Sequence, residues 1–368
     1  MHPVPLVCPR DHSLLQRASP GSLTCEHGHR YPVVDGVPVL LRDDVDQTMA
    51  LASASMARAT HQSGAVDLRD PDLFLESLGI SEAEKELAVE IARTGRNDID
   101  PVVSVIVGAT SGHSYRHLVG RLATYPIPDL RLPSADGKTL LDIGCNWGRW
   151  SVAAARKGYR VIGIDPSLGA IMAARRVARQ LGVDIDYVVA DARYLPFDHR
   201  TLDTAFSYSV LQHFAKSDAL RAVSEIARVL KPSGHCLIQM AHTFGCRSLY
   251  HQMRRGFREG SRFEVRYWTI PQLRRALQEY FERSAISVHC YFGLGLETSN
   301  VNLMPRHLAW LISLSEGLRT LSARWPLLTY LADSLYVSAG RPRATDGKGH
   351  GSDADVEGAT AGHPGGSC

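Results

Sequence analysis

The chain has no run approaching the roughly 20 apolar residues that a bilayer-spanning helix needs. Its opening, MHPVPLVCPRD, also lacks the basic start and apolar stretch of a secretory signal. Both absences lead to the expectation of a cytoplasmic protein. An excess of one charge is missing too: 41 Lys+Arg against 38 Asp+Glu leave +3. That is too near balance for a chain devoted to nucleic acid, although a local basic patch stays open. The seven cysteines (Cys8, Cys25, Cys145, Cys236, Cys246, Cys290, Cys368) are scattered and odd in number, which fits reduced thiols rather than a disulfide framework. No internal repeat is visible. What is present is 44% hydrophobic residues over 368 positions, enough to bury one large core with appendages.

Four regions follow one another. Residues 1–42 form a compact Cys/His segment ending in YPVVDGVPVLL, where Asp35-Gly36 between apolar runs signals a hairpin. Residues 43–110 read as a partly helical linker, with Ser81 and Glu84 forming a capping box ahead of an apolar periodicity. From 111 to 340 strands alternate with helices: TLLDI, RVIGI, IDYVV, LDTAFS, HCLIQM, AISVHC and SLYVSA are the strands. Such alternation means an α/β fold with a mainly parallel sheet covered on both faces. Residues 341–368 are Gly- and Asp-rich with almost no large apolar residue, the composition of a disordered tail.

The stretch LDIGCNWGRWS runs the first of these strands into a turn and a helix. In a doubly wound sheet that turn lies where strand order switches and ligands bind. A dinucleotide fingerprint places three glycines there, whereas this chain has Gly144, Asn146 and Arg149. Asn146 is a mild departure because Asn tolerates positive φ. Arg149 followed by Trp150 is a severe one, which disfavours a pyrophosphate and leaves room for a ligand without phosphates, such as S-adenosylmethionine. Asp165 ends the second strand, where a carboxylate can accept both ribose hydroxyls, as it also does in NAD binders. Asp191 ends the third, where it can accept the adenine amino group while Ala192 offers a backbone N–H.

LLDIGCNWGRW, VIGIDPS, ADARYLPF, LDTAFSYSVLQHF and EIARVLKPSG resemble, in order and spacing, the consecutive motifs of class I S-adenosylmethionine-dependent methyltransferases, most closely the ubiquinone and menaquinone branch. Asn146 replaces the usual second glycine, and Ser233 stands where Gly commonly follows Lys-Pro. The resemblance implies a Rossmann-like seven-stranded sheet whose last strand, SLYVSA, is antiparallel. It also implies a cofactor set of Asp142, Gly144, Cys145, Asn146, Gly148, Asp165, Pro166, Asp191, Ala192 and Ser207. Residues 241–268 and 293–332 then read as insertions at the carboxyl edge of the sheet, where a substrate lid belongs.

Methyl transfer is an in-line displacement that mainly needs its partners held collinear, with a base only where the acceptor must lose a proton. His213 is the candidate base, at a position more often filled by a structural or pocket-lining histidine, and Tyr208 is expected to form a wall of the methionine pocket. The fourth strand lacks the Asn/Asp-Pro-Pro-aromatic signature of amino-group methylators, and nothing supports covalent catalysis by Cys145 or Cys236.

The N-terminal segment resembles the small zinc-ribbon-like β domain of tRNA methyltransferase activator proteins and rRNA guanine methyltransferases. Cys8, Asp11 (or His12), Cys25 and His29 are its candidate zinc ligands, with Asp11 where that pattern normally has Cys. The alternative is a degenerate ribbon held by its hairpin alone.

The first insertion carries Arg247, Arg254, Arg255, Arg258, Arg262 and Arg266 among aromatics. That run suits an anionic acceptor or RNA, or simply a solvated lid. The second is amphipathic with Trp310 and Trp325, a profile for covering an apolar acceptor or touching a membrane surface, or for packing on the sheet. The reading as a whole is methyl transfer from S-adenosylmethionine to oxygen or carbon of a small or lipid-like acceptor. The rivals are an rRNA or tRNA base methyltransferase and a catalytically silent partner that uses the ribbon for binding.

Overall fold

The computed structural model describes residues 4–61, 72–95, 98–110, 113–261, 263–293 and 297–343. Arg262 and Cys368 lie outside these residues, as does the expected tail of 341–368 from residue 344 onward, whereas Arg341 and Pro342 belong to the chain's last strand and not to a tail.

The alternating apolar runs form β5 (Thr139–Ile143), β6 (Arg160–Asp165), β7 (Ile185–Ala190), β8 (Leu202–Tyr208), β9 (Leu230–Ala241), β10 (Phe281–Cys290) and β11 (Ser334–Pro342). Their order is β7-β6-β5-β8-β9-β11-β10. The first five are mutually parallel, and β11 is antiparallel to both β9 and β10. Strand order reverses beside β5, so the turn after β5 stands at the switch point of the sheet. Lys231-Pro232 follows the end of α6 (Lys216–Val229), where the sequence placed a stop.

The seven expected strands are present, but the sheet does not end with them. The ribbon strands β1 (Gln16–Ser19), β2 (Ser22–Thr24), β3 (Arg30–Val34) and β4 (Val37–Leu40) continue it to eleven, because β4 lies parallel to β7 with Val39 opposite Val189 and Leu40 opposite Ala190. All four β4 residues are buried, so this strand fills the edge that β7 would otherwise expose. The hairpin that delivers it turns through Asp35 at φ 47° and Gly36 at φ 81°. Two left-handed residues give the twist a two-residue hairpin needs.

One face of the sheet carries α4 (Arg149–Arg156) and α5 (Leu168–Gln180). The opposite face packs α6 and α8 (Ile270–Gln278) over Cys236, Ile238 and Met240. Residues 43–110 contribute α1 (Ala50–His61), α2 (Glu82–Thr94) and α3 (Pro101–Thr110). The Ser81/Glu84 capping box opens α2 with both reciprocal hydrogen bonds in place. The nearly all-apolar α3 is buried from Val102 to Gly108, and its fold is tied to α5 by the Arg176–Asp100 ion pair at 2.6 Å.

The two insertions contain α7 (Cys246–Arg254) and α9 (Arg306–Ser322). Trp310 and Trp325 are 66% and 64% exposed. These two rings therefore do not pack on the sheet, the third of the alternatives that the sequence offered for them. Among the described residues no helix is long and apolar enough to cross a membrane.

Leu40 is 1% exposed and belongs to the same cluster as Leu141, Ile143 and Val188. Leu40→Ala should cost about 2–5 kcal/mol, the range for emptying a packed aliphatic site. It should also lower the melting temperature of a single cooperative transition. A separate early transition of the ribbon, with the main one unmoved, would show instead that β4 is not part of the central core.

Candidate cofactor site and metal centre

The turn between β5 and α4 is a left-handed coil: Gly144, Asn146 and Gly148 take φ of 71°, 48° and 83°. Asn146 is thus the tolerated substitute that its residue type allows. At Gly144 a Cβ would stand 2.2 Å from Val210 Cγ2, and at Gly148 it would stand 2.6 Å from the Tyr187 hydroxyl, so neither position admits a side chain. The backbone N–H groups of Gly144 and Cys145 both donate to the Ile164 carbonyl, which clamps the turn to the end of β6.

Asp165 completes the clamp. Its Oδ2 accepts Asn146 N–H at 3.1 Å and its Oδ1 accepts Ser167 N–H at 2.9 Å. Each oxygen keeps a further lone pair, the acceptor set that a pair of donating ribose hydroxyls requires. Burial pushes its pKa up to about 6 against those two hydrogen bonds. Asp142 is buried beneath the turn and accepts the Ser151 hydroxyl at 2.6 Å; burial raises its pKa to about 7. That partner makes it a brace between β5 and α4. Cys145 is 2% exposed and packs with Tyr187 in the core, and Ser207 is buried with its hydroxyl toward the Ile143 carbonyl.

Asp191 stands at the end of β7 as expected, with Ala192 beside it, but its carboxylate is not open. Arg193 donates to it from the backbone N–H, Nε and Nη2, at 2.8–3.2 Å. The same guanidinium reaches Asp218 and the Asp46 carbonyl, which draws residues 43–46 across this edge. Pro166 begins a second crossing. Ser55 Oγ donates to the Pro166 carbonyl and accepts Leu168 N–H, while Ser77 Oγ accepts Gly169 N–H at 2.7 Å. Two serines from the N-terminal helical segment therefore satisfy N–H groups of the first turn of α5. Polar residues in a linker carry no period, so nothing in the sequence marks Ser55 or Ser77.

Arg149 and Trp150 do not splay α4 from the sheet. Both are 4% exposed, and the Trp150 ring lies against Phe206 and Tyr208 with centroids 5.1 and 4.5 Å away. His213 follows β8 in a short turn. Its Nδ1 lies 2.8 Å from the Phe263 carbonyl, which can only accept, so Nδ1 carries the proton and Nε2 is left as an acceptor. Burial lowers its pKa to about 4, which keeps it neutral at physiological pH. Its ring stacks on Phe263 at 4.0 Å, and Arg266 bonds its carbonyl. Its described contacts thus bind the first insertion to the end of β8.

In the ribbon, one donor atom each from Cys8, Asp11, Cys25 and His29 lies within 4.8 Å of the others. Cys8 Sγ and Cys25 Sγ are 3.5 and 3.4 Å from His29 Nδ1, and Asp11 Oδ2 is 2.8 Å from it. A tetrahedral zinc with bonds of about 2.0–2.3 Å separates its ligands by roughly 3.3–3.8 Å, so the cluster fits the ion with small adjustments. His12 is turned away at φ 60° with its ring against His199, which leaves Asp11 as the fourth donor.

The strand order and the left-handed turn define a Rossmann-like α/β core with a ligand turn at its switch point. Residues 140–234 match a family model described as a methyltransferase domain, and the chain extends beyond that match on both sides. A ubiquinone biosynthesis O-methyltransferase of Agrobacterium fabrum is 35% identical over 99 residues, 27% of this chain and 39% of that one. The biotin biosynthesis bifunctional protein BioHC of Cellvibrio japonicus is 38% identical over 103 residues, 28% of this chain and 20% of that one. The chain therefore spans well under half the length of these relatives. Among solved structures, a methyltransferase of Methanosarcina mazei is similar at 22% identity and a TM-score of 0.38, covering 42% of this chain and 85% of its own. Phosphoethanolamine N-methyltransferase 2 of Haemonchus contortus is similar at 20% identity and a TM-score of 0.38, covering 57% and 50%.

Metal analysis of protein purified without chelator should find about one zinc per chain, and Cys25→Ser should release it and loosen the ribbon. Metal-free protein with an unchanged melting temperature would show that the hydrogen bonds among these four residues suffice.

Proposed function

We propose that this chain transfers the methyl group of S-adenosylmethionine to oxygen or carbon of a small acceptor. The observation that carries the reading is the Asp165 carboxylate, bound to the turn at Asn146 and still holding free lone pairs beside two positions that only glycine can fill. When bound, the cofactor supplies a sulfonium-activated methyl carbon. The chain holds the ribose through Asp165, keeps the turn rigid through Asp142 and Ser151, and covers this edge with Asp46, Ser55 and Ser77. Asp191 serves this edge by fixing Arg193, and Ala192 presents the backbone beside it.

The RNA reading has less support. Arg258 is paired with Glu264 at 2.7 Å, and Arg266 is spent on the His213 carbonyl, so part of the basic run is already neutralised or engaged. A steep loss of affinity with salt would mark phosphate binding, whereas a small buried acceptor should be nearly indifferent to it.

Calorimetry should show S-adenosylhomocysteine binding in preference to NAD, and Asp165→Ala should weaken it by about 1.5–3 kcal/mol, the scale for a lost hydrogen bond to a charged group. Preference for NAD would overturn the reading.

A pH profile gives a second check. Ribose hydroxyls need the ionised carboxylate, and burial holds the Asp165 pKa near 6. Affinity should therefore be full above about pH 7 and fall as pH drops below about 6, and Asp165→Asn should remove that inflection. Stability runs the other way. Folded pKa values raised above the ordinary carboxylate value of 3.8 favour the protonated protein, so the contribution of Asp142 and Asp165 is fully present only below that value and is lost as pH rises from it through their folded values.

A further inference from the structure

The cofactor edge leaves one buried polar cluster unexplained. Tyr208, Gln239 and Tyr336 stand in register across β8, β9 and β11. His289 and Ser334 follow at the end of β10 and the start of β11. Phe206, Leu237 and Trp150 surround the row with apolar packing. Glu297 enters from the second insertion and is 3% exposed.

The hydrogen bonds have one consistent direction. Gln239 donates to Ser334 Oγ, which lies 2.9 Å from His289 Nδ1. Nε2 then carries the ring proton and donates to Glu297 Oε1 at 3.0 Å, while the Tyr208 hydroxyl donates to the same oxygen at 2.9 Å. Burial opposes ionisation of Glu297, but the His289 hydrogen bond and the charges of Arg149 and Arg131 outweigh it and hold its pKa below the usual range.

Arg149 lies 4% exposed at the first position of α4, next to the turn. Tyr115 and Trp150 lie near its guanidinium, at 5.8 and 5.4 Å. Yet Nε and Nη2, which form one side of the fork, have no hydrogen-bond partner among the described residues. Gln239 Oε1, the Tyr336 hydroxyl and Trp150 Nε1 are equally unmatched among them. Buried polar atoms are rarely left so, and an unfilled Arg fork has the geometry of a carboxylate.

We propose that this cluster is the acceptor subsite and that it takes a small, flat hydroxy acid. The carboxylate sits on the Nε/Nη2 edge of Arg149, the ring lies among Tyr115, Trp150, Tyr208 and Tyr336, and the hydroxyl faces the Tyr208–Glu297 pair. The inference rests on the methyltransferase reading and specifies its substrate class. The acceptor oxygen forms its bond to the methyl carbon as the carbon–sulfur bond breaks and leaves its electron pair on sulfur. The acceptor proton passes to the Tyr208 hydroxyl, whose own proton moves to Glu297. The products are a methyl ether, a neutral thioether and a protonated Glu297 that later returns its proton to water. His289 is a positioning residue that orients the carboxylate.

The test uses the full chain, with 2-, 3- and 4-hydroxybenzoate, their amides, S-adenosylhomocysteine and methylthioadenosine as probes. With S-adenosylhomocysteine bound, at least one hydroxybenzoate should bind, and its amide should bind about tenfold or more weaker. Arg149→Gln should lose about tenfold or more toward the hydroxybenzoate and keep S-adenosylhomocysteine within about twofold. Should that variant fold poorly, Arg149→Lys keeps the charge without the fork and should show the same loss. Glu297→Gln should retain hydroxybenzoate binding but lower kcat about a hundredfold and remove the acidic limb of the pH profile.

The proposal is overturned if no hydroxybenzoate binds, or if Glu297→Gln leaves kcat unchanged. It is also overturned if Arg149→Gln weakens S-adenosylhomocysteine but not methylthioadenosine, which lacks the amino-acid carboxylate; the fork would then belong to the cofactor. Absence of binding by both thioethers to the unaltered protein would instead bring down the methyltransferase reading beneath it.

Discussion

The Asp165 carboxylate joins the two strand ends on which the site is built. It receives the N–H of Asn146 from the first turn and the N–H of Ser167 from the second. Without that bridge the left-handed Asn146 would have no long-range hydrogen bond of its backbone N–H among the described residues. The cost of holding a carboxylate in so buried a place appears as a pKa raised to about 6. A group under that pressure is stabilised by any ligand that offers it hydroxyl donors, which is why the structural clamp and the proposed cofactor contact are one residue.

The N-terminal third of the chain is part of the same construction. β4 completes the sheet beside β7, Asp46 receives Arg193, and Ser55 and Ser77 satisfy the start of α5. Residues before the matched methyltransferase segment thus touch both acidic strand ends. The second insertion plays the matching part on the other side, where Glu297 and Asn300 are buried against Tyr208 and Tyr115.

Much of this was legible in the residues because it depends on local pattern. Asp35-Gly36 dictates a hairpin, Ser81 and Glu84 a helix start, and alternation of apolar strands and helices a parallel sheet. The turn at 144–148 was legible because backbone conformation there is set by which residues tolerate positive φ. For Trp310 and Trp325 an amphipathic period shows that a helix has an apolar side, not what covers it, and both rings stand exposed rather than packed on the sheet. His213 was legible as a motif residue that either lines the pocket or acts as a base, and its described bonds to Phe263 and Arg266 of the first insertion could not be read from the motif.

By itself the sequence determined the alternation of strands and helices in the core, the left-handed turn, the acids at the ends of β6 and β7 and the Cys/His set of the ribbon, all of which follow from short-range spacing. Only the tertiary structure decided that Arg193 would occupy Asp191 and that β4 would extend the sheet. It also decided that Arg149, Tyr208, His289 and Glu297 would share one buried cluster. Those four come from a helix start, two strand ends and an insertion, separated by up to 148 positions (297 minus 149). Their meeting is set by how three parallel or antiparallel strands line up in register, and no local pattern encodes that register.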